Sequence, residues 1–154
     1  MEKLPCFSNQ DIGLCSVTIR VEKILTFESR SEILKSLREE LQPFLQETEI
    51  SEEDQQTWLV AITEACTNCI RHAYDNKPGH PIWLKVTADE DKITATIKDE
   101  GGKIDLSKLP VPKIPPEKPG GLGIHFMKTI LDQVEFKTGL EKGNELVLAK
   151  KKRK

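Results

Sequence analysis

The sequence predicts an α+β fold, a two-layer α/β sandwich in which helices cover one face of a mostly antiparallel sheet. Three observations predict it. Runs with two-residue alternation and many β-branched residues lie at 14–27, 82–88, 92–98, 134–138 and 144–150. Segments whose apolar residues recur three and four apart lie between them. Short polar turns join neighbouring strands, which dictates antiparallel pairing and segregates the helices to one side.

The first run, LCSVTIRVEKILTF at 14–27, reads as a strand. From Ser31 the period changes. Ile33, Leu34, Leu37, Leu41, Phe44 and Leu45 mark one face of a helix, and Pro43 is expected to end or bend it near its last turn. Ser51 then offers a hydroxyl to unpaired amides, while Glu52, Glu53 and Asp54 face the positive end of a helix dipole. That second helix should run to about Tyr74, where DNKPGHP stops it. IWLKVTA and KITATIK flank the acidic turn DED and form a hairpin. Residues 99–120 carry glycines and five prolines from 110 to 119, so no regular structure is expected there, and a loop of that length is usually functional or disordered. GLGIHFMKTILDQV restarts a helix, with Ile124, Met127, Ile130 and Leu131 on its buried face. VEFKT and NELVLAK complete the sheet around a GLEKGN turn.

A chain of 154 residues is enough for one domain with a real core. Its 25 acidic and 23 basic residues leave a net charge of −2, so no global field recruits nucleic acid. The terminal KKKRK reads as a frayed, solvated tail. No apolar stretch approaches the roughly 20 residues of a membrane span, and MEKLPCFSNQDIG lacks the apolar run of a signal peptide. A cytoplasmic protein with reduced thiols is therefore expected, and the cysteines at 6, 15, 66 and 69 suggest no disulfide framework.

The stretch TEACTNCIRHAYDN, at 63–76, poses the chemical question: is its business the Cys-x-x-Cys pair or the polar residues between? Trp58, Ile62, Ala65, Cys66, Cys69 and Ala73 repeat at helical spacing and form the core stripe, whereas Glu64, Asn68, and Arg71 or His72 share another. A zinc site would need two further ligands, and no second Cys-x-x-Cys follows. On this helix alone Glu64 and Asn68 read more readily as surface decoration. Two further segments change that. IKDEGG ends a strand with Asp99 followed by glycines, and PGGLGIHFM puts a glycine-rich turn before a helix start, where unpaired amides and the helix dipole suit a phosphate chain.

In that order and spacing, EACTNCIRHAY, KDEGG and GGLGIHFMKTILDQV resemble the N box and the two glycine boxes of the GHKL, or Bergerat-fold, ATP-binding domains. That family is shared by histidine kinases, gyrase B subunits and MutL proteins. Within it, the sequence most resembles the anti-sigma-factor serine/threonine kinases of the RsbW and SpoIIAB type. The resemblance covers roughly residues 14–150, with 1–13 as an N-terminal extension and 151–154 as a basic tail. It implies that Asn68 ligates Mg²⁺ on the phosphates of ATP and that Glu64, one turn earlier, is the base taking the proton from an attacking hydroxyl. Asp99 would accept from the adenine amino group, and Gly101 and Gly102 would let the backbone pass close to the base. Gly121, Leu122, Gly123 and Ile124 would wrap the phosphates with backbone amides, Arg71 and His72 would lie near phosphate or ribose, and 104–119 would be the lid. Two positions depart from the family pattern. Lys103 stands where histidine kinases have the last glycine, and either reaches a phosphate or faces solvent. Asn144 stands where relatives often have a threonine near adenine.

The function expected from this resemblance is an ATP-dependent serine/threonine protein kinase that holds a sigma factor inactive and phosphorylates a small STAS-domain anti-anti-sigma protein. A homodimer is also expected, with an edge strand at 14–22 available for it. About thirteen residues precede the first strand, too few for the phosphoacceptor helix pair of a sensor histidine kinase. A catalytically weak module that binds ATP and sequesters a partner is the alternative; a thiol-redox or zinc regulator built on Cys66 and Cys69 is a third class.

Overall fold

The computed structural model describes residues 21–105, 123–137 and 140–152, with the side chains of 123–126 excepted. The expected strand at 14–27 is thus described only from Val21, and the turn residues Gly121 and Leu122 lie outside the described residues, as does most of the expected lid. The elements in order are β1 (Val21–Glu28), α1 (Ile33–Glu47), α2 (Glu52–Asn68) continued by a π-helical turn (Cys69–Ala73), β2 (Pro81–Ala88), β3 (Lys92–Asp99), α3 (Gly123–Ile130), β4 (Gln133–Phe136) and β5 (Asn144–Lys151). The sheet is five-stranded in the order β1-β2-β3-β5-β4, and every neighbouring pair is antiparallel.

Alternation along the strands decides which face is covered. Ile82, Leu84, Val86 and Ala88 of β2 and Ile93, Ala95 and Ile97 of β3 are buried, and half-buried residues stand between them. With a side-chain period of two, Asp99 falls on the same inner face, as the last member of an otherwise apolar row. The helices meet this face. α2 contacts both α1 and α3, and its stripe Trp58, Ile62, Ala65, Cys66, Cys69 and Ala73 is buried as its spacing predicts. Burying side chains of Leu or Phe size contributes about 1.5–3 kcal/mol each, which is what lets the same layer hold a few polar groups.

Local features follow the sequence expectation in part and depart from it in part. Helix α1 continues a turn beyond Pro43 to Glu47, because Leu41, Phe44 and Leu45 on both sides of the proline are buried and hold the turn in place. Ser51 does cap α2, its Oγ accepting from the Asp54 amide at 3.1 Å. The C-terminal end of α2 is not α-helical: it widens into the π turn, closed by the Tyr74 amide donating to Cys69 O at 3.0 Å. Helix α3 is shorter than its apolar pattern, since the chain has already left it at Leu131 and enters β4 at Gln133. Finally, the basic terminus is not wholly frayed. Lys150 and Lys151 belong to β5, Lys150 Nζ donates to Ile130 O at 3.0 Å, and the Lys152 amide donates to Asp91 O at 2.7 Å.

The loop before β5 is tied to the end of β3. Gly143 has φ +74°, and a Cβ there would stand 1.9 Å from the Asp99 carbonyl oxygen. Both the left-handed backbone and the contact demand glycine. Gly143→Ala should therefore destabilise the protein by more than about 2 kcal/mol, measured by denaturant unfolding, with the loss transmitted to the Asp99 end of the sheet.

Candidate functional site

Asp99 is 1% exposed, and a carboxylate so placed needs donors. Its Oδ1 accepts from the Gly101 amide and from Asn144 Nδ2, each at 2.9 Å. Its Oδ2 is buried with no hydrogen-bond partner among the described residues. Burial pushes the Asp99 carboxyl above its ordinary range; the bonds from Asn144, Gly101 and the neighbouring Cys69 thiol hold it back in part. One acceptor atom thus remains unserved at the end of the inner row, next to the glycine pair.

Those glycines are explained partly by the protein's own packing. A Cβ on Gly101 would lie 2.4 Å from Ala73 O, at the end of the π turn, whereas one on Gly102 would lie 3.7 Å away, in ordinary contact. The Gly102 amide also donates to Ala73 O at 2.8 Å. Gly101 is therefore required by the close approach of β3's end to the end of α2. Tyr74 completes that junction. Its hydroxyl donates to Pro81 O at 2.5 Å and accepts from the Glu100 amide at 2.7 Å, while its ring stacks on His80 at 4.9 Å.

On α2 the two polar residues one turn apart have different surroundings. Asn68 is 8% exposed, and its Nδ2 is buried without a partner among the described residues, so this amide nitrogen is not engaged in holding the fold. Glu64 is half-buried. Burial raises its carboxyl above the usual range, and the Arg71 guanidinium pulls it partly back. Glu64, Thr67, Ile70 and Arg71 line a cleft of about 850 Å³, whose other wall is the β1–α1 junction, from Ser29 to Leu34. Ser29 builds that wall. Buried at 1% exposure, it donates through Oγ to Lys77 O at 2.6 Å and accepts from the His80 amide at 3.0 Å.

The sequence-selected residues are therefore brought together in two groups. Glu64 and Arg71 share the cleft; Asp99, Gly101 and Gly102 gather at the β3 end, and neither they nor Asn68 and His72 line that cleft. The π turn joins the groups, because Cys69 lies beside Asp99 while Ile70 and Arg71 face the cleft. His72 is exposed. Gly123 opens α3, Ile124 follows it with its side chain outside the described residues, and Gly121 and Leu122 lie outside them altogether. Cys66 and Cys69 are both buried, and burial pushes both thiols well up, which disfavours the thiolate that a metal or a redox partner needs. Cys6 and Cys15 lie outside the described residues.

Both departures from the family pattern acquire partners. Lys103 turns to the protein itself, its Nζ donating to Leu140 O at 3.0 Å and to Gly143 O at 2.6 Å, so it pins the β4–β5 turn. Asn144 bonds Asp99 directly. Sequence reasoning missed Tyr74 and Ser29, which nothing local marks, and it named Gly143 only as the residue before Asn144, without the contact that demands glycine there.

The residues present fit an adenine nucleotide with a metal ion. The Asp99 Oδ2 is a buried acceptor in need of an N–H donor, and the amide of Asn68, whose nitrogen has no partner among the described residues, carries an oxygen of the type that suits a hard cation. Comparison with known proteins leads the same way. The family model described as the histidine kinase-like ATPase domain matches residues 27–150. An anti-sigma F factor of Oceanobacillus iheyensis is 29% identical over 133 residues, 84% of this chain and 91% of that protein. The anti-sigma F factor of Geobacillus thermodenitrificans is 27% identical over 136 residues, 86% of this chain and 93% of its own. The serine-protein kinase RsbW of Bacillus subtilis is 29% identical over 83 residues, 49% of this chain and 52% of its own.

The Asp99 environment has a pH signature. Because its folded pKa is raised, the folded state holds the proton more tightly than the unfolded chain, so stability falls as pH rises from the ordinary value of 3.8 through the raised folded value. Asp99→Asn keeps the shape and the Oδ1 acceptor but cannot ionise. It should abolish that decline and be no less stable than the unsubstituted protein at neutral pH, as read from denaturant unfolding across the acid range.

Proposed function

The chain belongs to the histidine kinase-like ATPase domain family, and from that premise we propose that it is an ATP-dependent serine/threonine protein kinase and anti-sigma factor of a partner-switching system. The observation that carries the nucleotide part is the buried Asp99 Oδ2 without a partner: adenine's amino group is a donor that would serve it. The kinase and anti-sigma parts are supported by the relatives, which are named anti-sigma F factor and serine-protein kinase RsbW.

In this reading Asn68 helps to hold Mg²⁺, which when bound neutralises charge on the phosphates. Gly121, Leu122, Gly123 and Ile124 offer amides to the phosphate chain at the start of α3, and Arg71 and His72 stand near phosphate or ribose. An acceptor hydroxyl enters by the cleft beside Glu64. Its oxygen bonds to the γ-phosphorus as the bond from that phosphorus to ADP breaks, and Glu64 takes the hydroxyl proton. A carboxyl made more basic by burial is suited to that task, and the positive Arg71 alongside pulls the other way, favouring the ionised form that a base needs. Phosphoryl transfer needs little more from a protein than such positioning and charge.

The inferred partners are a sigma factor, held inactive, and a small STAS-domain anti-anti-sigma protein, which supplies the serine or threonine. A homodimer is inferred as well, for which β1 is an edge strand of the sheet. Among the described residues no helix is long and apolar enough to cross a membrane, and the reading places the protein in the cytoplasm.

Transfer of labelled phosphate from ATP to purified STAS-domain proteins is the direct test. Glu64→Gln should keep ATP binding and lower transfer by about 10²–10⁴-fold, with the acid limb of the pH–rate profile lost alongside. Equal rates for Glu64→Gln and the unsubstituted protein would remove Glu64 from the mechanism. ATP binding without any transfer would leave the partner-sequestering module as the function. Asn68→Ala should abolish the dependence of nucleotide affinity on Mg²⁺, measured by calorimetry with and without the ion.

A further inference from the structure

We propose that Asn144 is a positioning residue for base recognition, acting through Asp99: it fixes the carboxylate so that Oδ2 is the one acceptor left for the exocyclic amino group of a purine. The inference rests on the nucleotide-binding reading above and names a specificity determinant within it.

The β3–β5 register sets Asn144 directly opposite Asp99. Its side chain, 8% exposed, is fully engaged. Nδ2 donates to Asp99 Oδ1 and to Gly102 O, each at 2.9 Å, and Oδ1 accepts from the Ile104 amide at 3.0 Å. These three bonds define the orientation of the amide. Turned over, it would set its oxygen against a carboxylate and a carbonyl, and its NH₂ against an N–H. With the Gly101 amide also donating to it, Asp99 Oδ1 receives two N–H groups, and rotation of the carboxylate would sacrifice both. Among the described residues the unserved lone pairs are thereby confined to Oδ2, in a buried position where a ligand donor gains and a ligand carbonyl is repelled. The Asn144 bond is also the first of the contacts that offset the effect of burial on Asp99, so it favours the ionised, acceptor-only form. Nothing comparable links Asn144 to the Glu64 cleft, whose lining does not include it.

The test compares ATP with purine riboside 5′-triphosphate, which lacks the amino group, by calorimetry on the full chain and on Asn144→Ala and Asn144→Thr. The unsubstituted protein should prefer ATP by roughly tenfold or more, the range of a hydrogen bond to a charged group. In Asn144→Ala the ATP affinity should fall while that for purine riboside triphosphate holds, so the preference collapses toward unity. Asn144→Thr, whose hydroxyl can restore one donor to Asp99, should be intermediate. A preference unchanged in Asn144→Ala overturns the proposal, as does equal weakening of both ligands, which marks a merely structural role. Should Asn144→Ala fail to fold, the ratio in Asn144→Thr decides alone, and a ratio equal to that of the unsubstituted protein is fatal. An unsubstituted protein that binds neither triphosphate refutes the nucleotide-binding reading itself and this inference with it, whereas normal ATP binding with an unmoved ratio refutes this inference only.

Discussion

A carboxylate at the end of a buried apolar row is the constraint around which the rest of this structure is arranged. Asp99 occupies the position that Ile93, Ala95 and Ile97 lead up to, on the inner face of the sheet, and is as buried as they are. A charge there is tolerable only if its neighbours are donors, and each neighbour imposes something on another segment. Asn144 has to lie across from it, so β5 must start at that residue. Gly143 has to be glycine, because the Asp99 carbonyl is against it. Gly101 has to be glycine too, since the chain turning back to offer its amide to Asp99 comes up against Ala73. Three segments far apart in sequence thus converge on one side chain, and the acceptor that remains unserved is the feature a ligand would recognise.

The second helix divides its labour by face. Its cysteines turn to the core, where small, weakly polar groups pack well, and Glu64 turns to the cleft. Asn68 lies where the α-helical ladder gives way to the π turn. π turns insert an extra residue into a helix and so re-aim everything after them. Here residues two apart in the turn face the two groups, Cys69 beside Asp99 and Arg71 beside Glu64. The buried surroundings of Asp99 and the cleft beside Glu64 are therefore joined by a short, packed stretch of one chain. The two sites differ: the carboxyl of Asp99 is buried and, among the described residues, lacks a partner only at Oδ2, whereas Glu64 lines a cleft of about 850 Å³.

Much of this was legible in the sequence, and for a common reason. Ser51 with three acids announced the start of α2, alternation in 82–88 and 92–98 announced the hairpin, and the core stripe of α2 could be named residue by residue. Each of those is a local pattern, set by the repeat of a helix or a strand. Pro43 and the basic terminus show where local reasoning stops. A proline inside a helix and lysines in a row carry unfavourable intrinsic tendencies, but the buried neighbours of Pro43 hold α1 together, and pairing with β3 extends β5 through Lys151. Lys103 is a similar case: its sequence context allowed a phosphate or solvent, and the carbonyls of a distant turn claimed it.

By itself, then, the sequence determined the class of fold and the order of its elements, because period, capping and glycine placement act over a turn or two of chain, whereas Asp99, Glu64 and Asn68 stood out through the resemblance of three ordered motifs to a known family. Only the tertiary structure decided what each of them meets. The strand beside β3 is β5, reached across α3 and β4, so the pairing of Asp99 with Asn144, the contact of Gly101 with Ala73 and the brace of Tyr74 between two strands depend on registers between distant segments. Those registers are chosen by the collective burial of whole faces, and no short stretch of residues contains that information.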